Sequence, residues 1–179
     1  MKLTGPQIIS ELRERLPFAV GRHLYVVLGS YSQLEHFERV DLTAASNRNG
    51  QPFPTPVNLN RQLLDSMDDA NLRRLVSEEA HYPQAVRNHL NQALESLLNT
   101  ILQTEPLLII KQVELVFAYG LDLSIFRTTA TNQRHLLLLL PGVWLSSRVV
   151  LFHEADARFH QMLPENLVAE NHLWELVDA

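Results

Sequence analysis

Five consecutive leucines, Leu136 to Leu140, run straight into Pro141-Gly142. A strand with one wet face alternates apolar and polar residues, so a run without a polar break needs cover on both faces. The same character marks Leu24-Tyr25-Val26-Val27-Leu28, which ends at Gly29-Ser30, and Leu107-Leu108-Ile109-Ile110. It marks Arg148-Val149-Val150-Leu151-Phe152 as well. Two-sided burial requires helices above and below a sheet, and helical patterns lie between the runs. Ile8, Ile9, Leu12 and Leu16 share one face of a segment over residues 4–16, where Thr4 can cap and Pro6 sits in the first turn. Ser32, with Glu35 three residues on, has the spacing of a capping box for a helix through Leu34, Phe37 and Val40.

Further along, residues 43–56 carry three prolines and an Asn-Gly pair and are expected to be a loop. Val57-Asn58-Leu59-Asn60 is expected to be a short strand, with Asn60 capping a helix through Leu63, Leu64 and Met67. Asp68 or Asp69 begins the next helix. The strongest helical pattern runs from Pro83 to Gln103, where Val86, Leu90, Leu94, Leu97, Leu98, Ile101 and Leu102 recur at three- and four-residue intervals. Glu165 to Val177, containing Leu167, Leu173 and Leu176, is expected to be a closing helix. Strands alternating with helices predict one α/β domain over residues 1–179, three layers deep, with a mainly parallel sheet.

Composition narrows the chemistry. The chain has 179 residues, no cysteine and a formal net charge of −5. The missing thiols exclude disulfides, thiolate zinc sites, iron–sulfur ligation and a cysteine nucleophile. The negative charge argues against broad electrostatic binding of nucleic acid, leaving at most indirect contact. The longest apolar stretch, Leu136 to Leu145, is broken by Pro141-Gly142 and falls short of the ~20 residues that span a bilayer. No uninterrupted apolar segment follows the N-terminal lysine as a secretory signal would require. A cytoplasmic protein without a membrane role is the expectation.

In open α/β sheets ligands sit beyond the carboxyl ends of the strands. Four places therefore matter: Gly29-Ser30-Tyr31-Ser32, Lys111-Gln112-Val113-Glu114, Pro141-Gly142 and His153-Glu154. A phosphate-binding loop after the first strand needs several glycines, a lysine and a Ser/Thr for Mg²⁺. The loop has one glycine and no lysine, so Gly29, Ser30 and Ser32 remain only as candidates for seating an anion on a helix start. At the second strand end, where an aspartate would reach Mg²⁺, stands Lys111, with a carboxylate no nearer than Glu114. The residues of ATP hydrolysis are missing from both positions.

Val57-Asn58-Leu59-Asn60, the long helix, Leu107–Ile110 leading to Glu114-Leu115-Val116-Phe117, and Leu136–Leu140 with Pro141-Gly142 follow a recognisable order. Together with His153-Glu154 they resemble the BrxF-like and BrxB-like small proteins of BREX anti-phage defence systems, over roughly residues 22–160. In the BrxF-like family a phosphate-loop strand precedes a V-N-L-N strand. A hydrophobic strand then leads with an acidic residue into E-L-L-F, followed by a strand ending in P-G and a His/acidic segment. The departures lie at Gly29–Ser32, which lacks the family's phosphate loop, and at Lys111, which replaces its acidic strand end. The resemblance implies a degenerate P-loop NTPase-like fold and a place in a defence system, and puts nucleotide hydrolysis in doubt.

Other constellations have bland and sharp readings. His153, Asp156 and His160 would share a helix face and, with Glu154 alongside, are the candidates for a metal site or an acid/base pair, yet they do not form H-E-x-x-H and equally suit a solvated face. Ser30, Ser32, Ser146 and Ser147 lack the G-x-S-x-G elbow of a hydrolase nucleophile, and no catalytic residue is assigned. Arg127, Arg134 and Trp144 are interface candidates, the arginines as fingers toward a neighbouring subunit or as surface ion-pair partners, the tryptophan as an anchor. Two function classes follow. One is a non-catalytic subunit, without cofactor, that binds other proteins of a multi-component system or a second copy of itself. The other is a divergent nucleotide-binding ATPase or switch, with a nucleic-acid adaptor as a third reading.

Overall fold

Thr4 stops the chain in extended geometry and receives the Gln7 side chain on its N–H at 2.9 Å. That reciprocal cap starts the first helix where residues 4–16 predict one. The computed structural model describes residues 1–178. In chain order it contains β1 (Lys2–Leu3), α1 (Gly5–Arg15), β2 (Leu24–Gly29) and α2 (Tyr31–His36), which continues as a π-helical turn over Phe37–Leu42. Then come β3 (Val57–Asn58), α3 (Leu59–Asp65), α4 (Asp69–Glu78), α5 (Pro83–Thr104) and β4 (Leu107–Lys111). The remainder is α6 (Glu114–Ala118), α7 (Ser124–Thr129), β5 (His135–Leu145), β6 (Arg148–Leu151), β7 (Gln161–Met162) and β8 (Leu173–Leu176).

The apolar runs are the central strands. The main sheet has the order β1-β8-β2-β5-β4-β3, with every pair in it parallel. Val26 pairs with Leu138 on one side and Leu173 on the other, so β2 is flanked on both sides from Val26 to Leu28. One face carries Tyr25, Val27, Ile109, Leu137, Leu139 and Trp174 against Ile8, Ile9 and Leu12 of α1 and Leu34 and Phe37 of the α2 segment. The opposite face carries Val26, Leu28, Leu108, Ile110, Leu138 and Leu140 against Leu59, Leu63, Leu90, Leu94 and Leu98. A helical layer on each side of a mostly parallel sheet is the predicted three-layer α/β arrangement. From β2 the chain departs to β3 at the far edge and fills back through β4 and β5. From β5 it crosses to β8 on the other side of β2. Adjacent strands whose connections leave in opposite directions make a crevice at their carboxyl ends.

Three sequence-based expectations are corrected. Residues 165–177 do not form a helix: a 3₁₀ turn at Glu170–His172 leads into β8, where Trp174 is fully buried beside β2. A short apolar run is ambiguous between strand and buried helix, and here the open edge of β2 decides the matter. The last leucine strand does not stop at Pro141-Gly142; it continues to Leu145. Proline is tolerated because Pro141 is the point where β5 leaves β2 and takes β6 as an antiparallel partner. Residues 148–152 accordingly form no further parallel strand; β6 folds back on β5 and pairs in turn with β7. Two caps are also displaced by two residues. Ser30, not Ser32, caps α2, with Gln33 rather than Glu35 completing the box. Asn58, not Asn60, caps α3 by accepting the Arg61 N–H at 2.9 Å.

Candidate functional site

The carboxyl ends of β2, β5, β8 and β4 converge on a crevice that Pro141 divides into two hollows. The first, of about 220 Å³, is bounded by Gly29, Ser30, Gln33, Pro141–Val143, His153, Glu154, Glu175 and Leu176. The second, of about 360 Å³, lies between Tyr31, Leu34, Glu35, Glu38, Arg39, Lys111, Gln112, Glu114, Leu139 and Pro141.

Tight packing shapes the turn from β2 into α2. A Cβ on Gly29 would stand 3.3 Å from Leu176 Cδ1 and 3.4 Å from Gln33 Cβ, leaving little room for a side chain. Three of the N–H groups at this helix start, those of Ser30, Tyr31 and Gln33, already have side-chain partners. Ser30 N–H donates to Gln33 Oε1 at 3.0 Å and Gln33 N–H donates to Ser30 Oγ at 3.1 Å. Tyr31 N–H donates to Glu154 Oε2 at 2.8 Å. Ser32 Oγ lies 3.0 Å from Ser30 Oγ. Gly29, Ser30 and Ser32 are thus brought to one place, the start of a helix at which the N–H groups of Ser30, Tyr31 and Gln33 are met by the chain's own side chains.

Glu154 reaches that place through a strained turn. Phe152 adopts φ 58°, a left-handed conformation that a bulky side chain enters at a cost of about 1–3 kcal/mol. Its N–H donates to Pro141 O at 2.7 Å, and its buried ring meets Phe117 edge-on at 5.4 Å. These contacts hold the turn and direct Glu154 back over α2. Glu175, on β8, accepts the Trp144 N–H at 3.3 Å and lines the same hollow.

The second hollow is organised by an ion pair that no local pattern announces. Lys111 Nζ donates to both carboxylate oxygens of Glu38, at 2.6 and 2.9 Å, across 73 positions of sequence. Glu38 belongs to the π-helical turn, a backbone form that recurs at functional sites. Beside the pair, Gln112 is left-handed at φ 55°, and its carbonyl accepts the Asn60 N–H at 3.1 Å. Asn60 bridges onward: its amide donates to Glu114 Oε2 at 2.6 Å, and its Oδ1 accepts the Leu115 N–H at 3.0 Å. Tyr31 sits over this acidic group, and its hydroxyl is held above its ordinary pKa, first by burial and then by the Glu114 and Glu154 carboxylates.

The remaining candidates lie elsewhere. His153 and His160 stack with ring centroids 5.6 Å apart, but the segment is a bend and a 3₁₀ turn, not a shared helix face. His160 Nε2 is engaged with Ala155 O at 3.1 Å, and Asp156 accepts the Arg158 N–H at the same distance. Among the described residues no three His, Cys, Asp or Glu side chains are placed to hold a metal ion. Arg127 donates to Asn166 O at 3.1 Å and Arg134 to Asn99 Oδ1 at 3.4 Å, so neither pairs with Asp122 or Glu154. Trp144 is partly buried against the larger core. The Gln33 partner of Ser30 was readable as a second capping-box spacing, whereas the Glu38–Lys111 pair carried no signal in the primary structure.

Chemically, the crevice is poor in free donors and rich in carboxylates. A phosphate approaching α2 would meet Glu154 where it needs an N–H, and the nearest lysine is already neutralised. Among the described residues no helix is long and apolar enough to cross a membrane. Compared with protein-family models, curated proteins and solved structures, the chain matches none of them.

Proposed function

We propose that this chain is a non-catalytic binding subunit built on a degenerate P-loop-like fold, acting by association with other proteins of a multi-component system of the BREX defence type. The observation that carries the reading is the 2.8 Å contact from Tyr31 N–H to Glu154. An internal carboxylate stands where a phosphate-loop protein would receive the nucleotide, and Lys111 stands where such a protein presents its metal-binding acid. The β2–turn–α2 order, with the carboxyl ends of β5 and β4 beside it, supports descent from a nucleotide-binding ancestor. The resemblance over residues 22–160 supplies the system. A framework kept intact around a blocked crevice is what selection for binding alone would preserve.

Two measurements test this together. Affinity purification of the tagged chain from its native host is expected to recover stoichiometric protein partners. Thermal-shift titration with ATP, ADP and GTP, each with Mg²⁺, is expected to leave the melting temperature unmoved at millimolar ligand, since binding to the native state must raise it. A dose-dependent rise in melting temperature would replace this reading with that of a divergent nucleotide switch.

A further inference from the structure

At the opposite, amino-terminal pole of the sheet lies a group of aromatic and imidazole rings that the crevice does not use. His23, immediately before β2, and His135, the first residue of β5, lie side by side, 5% and 3% exposed, with ring centroids 4.2 Å apart. His23 Nδ1 is hydrogen-bonded to the Tyr25 hydroxyl at 3.1 Å. Among the described residues, the buried His23 Nε2 and His135 Nδ1 have no partner, nor has the indole N–H of the fully buried Trp174. Buried polar atoms left unpaired are rare, and two on neighbouring imidazoles are a concentrated liability.

The surroundings offer no counter-charge. On α1, Arg15 lies 5.7 Å over the Trp174 ring and is held by Glu11 at 2.9 Å, so this helix presents a cation whose own carboxylate is committed. On β2, Tyr25 stays neutral, because burial raises its hydroxyl to about 12. His172, before β8, packs 4.7 Å from Tyr25 and contacts Leu24 O through Nδ1 at 3.3 Å. From β4 this face receives Leu107 and Ile109. Among the described residues no carboxylate is hydrogen-bonded to any of the three imidazoles.

We propose that the His23–His135 pair is an acid-operated latch: neutral, it fastens the connection 16–23 to the start of β5, and protonated, it releases that connection. The fastening is visible in the backbone. His23 N–H donates to Ala130 O at 2.9 Å, Leu136 N–H to His23 O at 2.9 Å, and Asn132 N–H to Gly21 O at 2.9 Å. Two adjacent imidazolium charges would repel across this joint, where no carboxylate among the described residues is hydrogen-bonded to either ring. Burial lowers the pKa of His135 to about 4, the charge of His23 contributing next, and burial also lowers that of His23. An unfolded imidazole accepts its proton near 6.5. The stability is therefore complete above that value and drains away as pH falls from there toward about 4.

Amide hydrogen exchange at pH 7 and pH 5, corrected for intrinsic rates, tests the latch in the intact protein. Protection at His23, Asn132 and Leu136 is expected to fall as acid is added, the opening constant rising about tenfold per pH unit for each histidine engaged. The His23→Phe/His135→Phe variant is expected to lose that pH dependence while keeping its protection at pH 7. Equal acid sensitivity in variant and parent, or unchanged protection in the parent, would overturn the proposal. If the variant fails to fold, ring titration of the parent by NMR decides: both imidazoles titrating near the ordinary value sinks it, and resistance below that value supports it.

Discussion

Glu154 accepts a hydrogen bond from the backbone of Tyr31 across 123 positions of sequence, and so ties the β6–β7 arm to the start of α2. The arm is otherwise attached by antiparallel pairing with β5 from Gly142 to Leu145 and by packing of Phe152 against Phe117. The contact is local in space and exposed to solvent, yet it is charge-assisted.

Glu154→Ala is expected to lower stability by about 1 kcal/mol, within the range for exposed bonds to a charged acceptor. Glu154→Gln, which keeps an acceptor oxygen, is expected to lose less than half of that. Urea unfolding of the three proteins checks the order. Equal losses for Ala and Gln would show that the charge alone matters.

Lys111 and Glu38 form a half-buried pair, with side chains 34% and 21% exposed. Lys111→Met strands the Glu38 carboxylate among Leu34, Leu139 and Pro141 and is expected to destabilise the protein by about 1–3 kcal/mol. Lys111→Met/Glu38→Gln is expected to recover most of the loss, because no uncompensated charge remains. A double-mutant cycle by chemical denaturation measures the coupling.

Gly142→Ala tests the change of partner in β5. A Cβ at this position would stand 2.7 Å from Val150 O and 2.9 Å from Leu151 Cδ2. The backbone oxygen cannot rotate away, so the hairpin must shift, at an expected cost of about 1–3 kcal/mol. The melting temperature should fall, with the loss of amide protection concentrated in residues 142–151.

Ser146 and Ser147 form the two-residue turn between β5 and β6, both left-handed at φ 45° and 69°. That is the backbone of a turn for which Asn-Gly is the favoured dipeptide. Ser146→Asn/Ser147→Gly is expected to raise stability by about 0.5–1 kcal/mol by relieving strain. A lower midpoint in urea would contradict the turn assignment.

How far the sequence foretold this molecule depends on the kind of contact. Leu24–Leu28, Leu107–Ile110 and Leu136–Leu140 announce themselves because two-sided burial leaves no polar residue to blur them. The long helix was equally plain, since Val86, Leu90, Leu94, Leu98 and Leu102 all face the core. Leu173 and Leu176 misled, because a four-residue strand carries too few residues to separate a period of two from one of 3.6. Ser32 misled because Ser30 and Ser32 both stand three residues before a Glu or Gln, and only the extended backbone at Ser30 decides between them. Gly29 and Lys111 do end β2 and β4, whereas Glu154 lies in the turn after β6. What they do there rests on pairings such as Glu38–Lys111, which chain proximity cannot encode.

The placement of β8 between β1 and β2 governs the order of assembly. Lys2 pairs with Glu175, and Val26 finds its second neighbour only in Leu173. During synthesis β2, β3, β4 and β5 can join one another while β8 is still unmade. Until then Val26–Leu28 of β2 offer unpaired N–H and C=O groups between apolar faces, a ready template for misplaced strands. The interval is lengthened by the slow closure of so distant a pairing. A nascent chain of this design therefore spends its vulnerable period with an open edge at the middle of its future sheet, and chaperone engagement should peak just before residues 173–176 emerge.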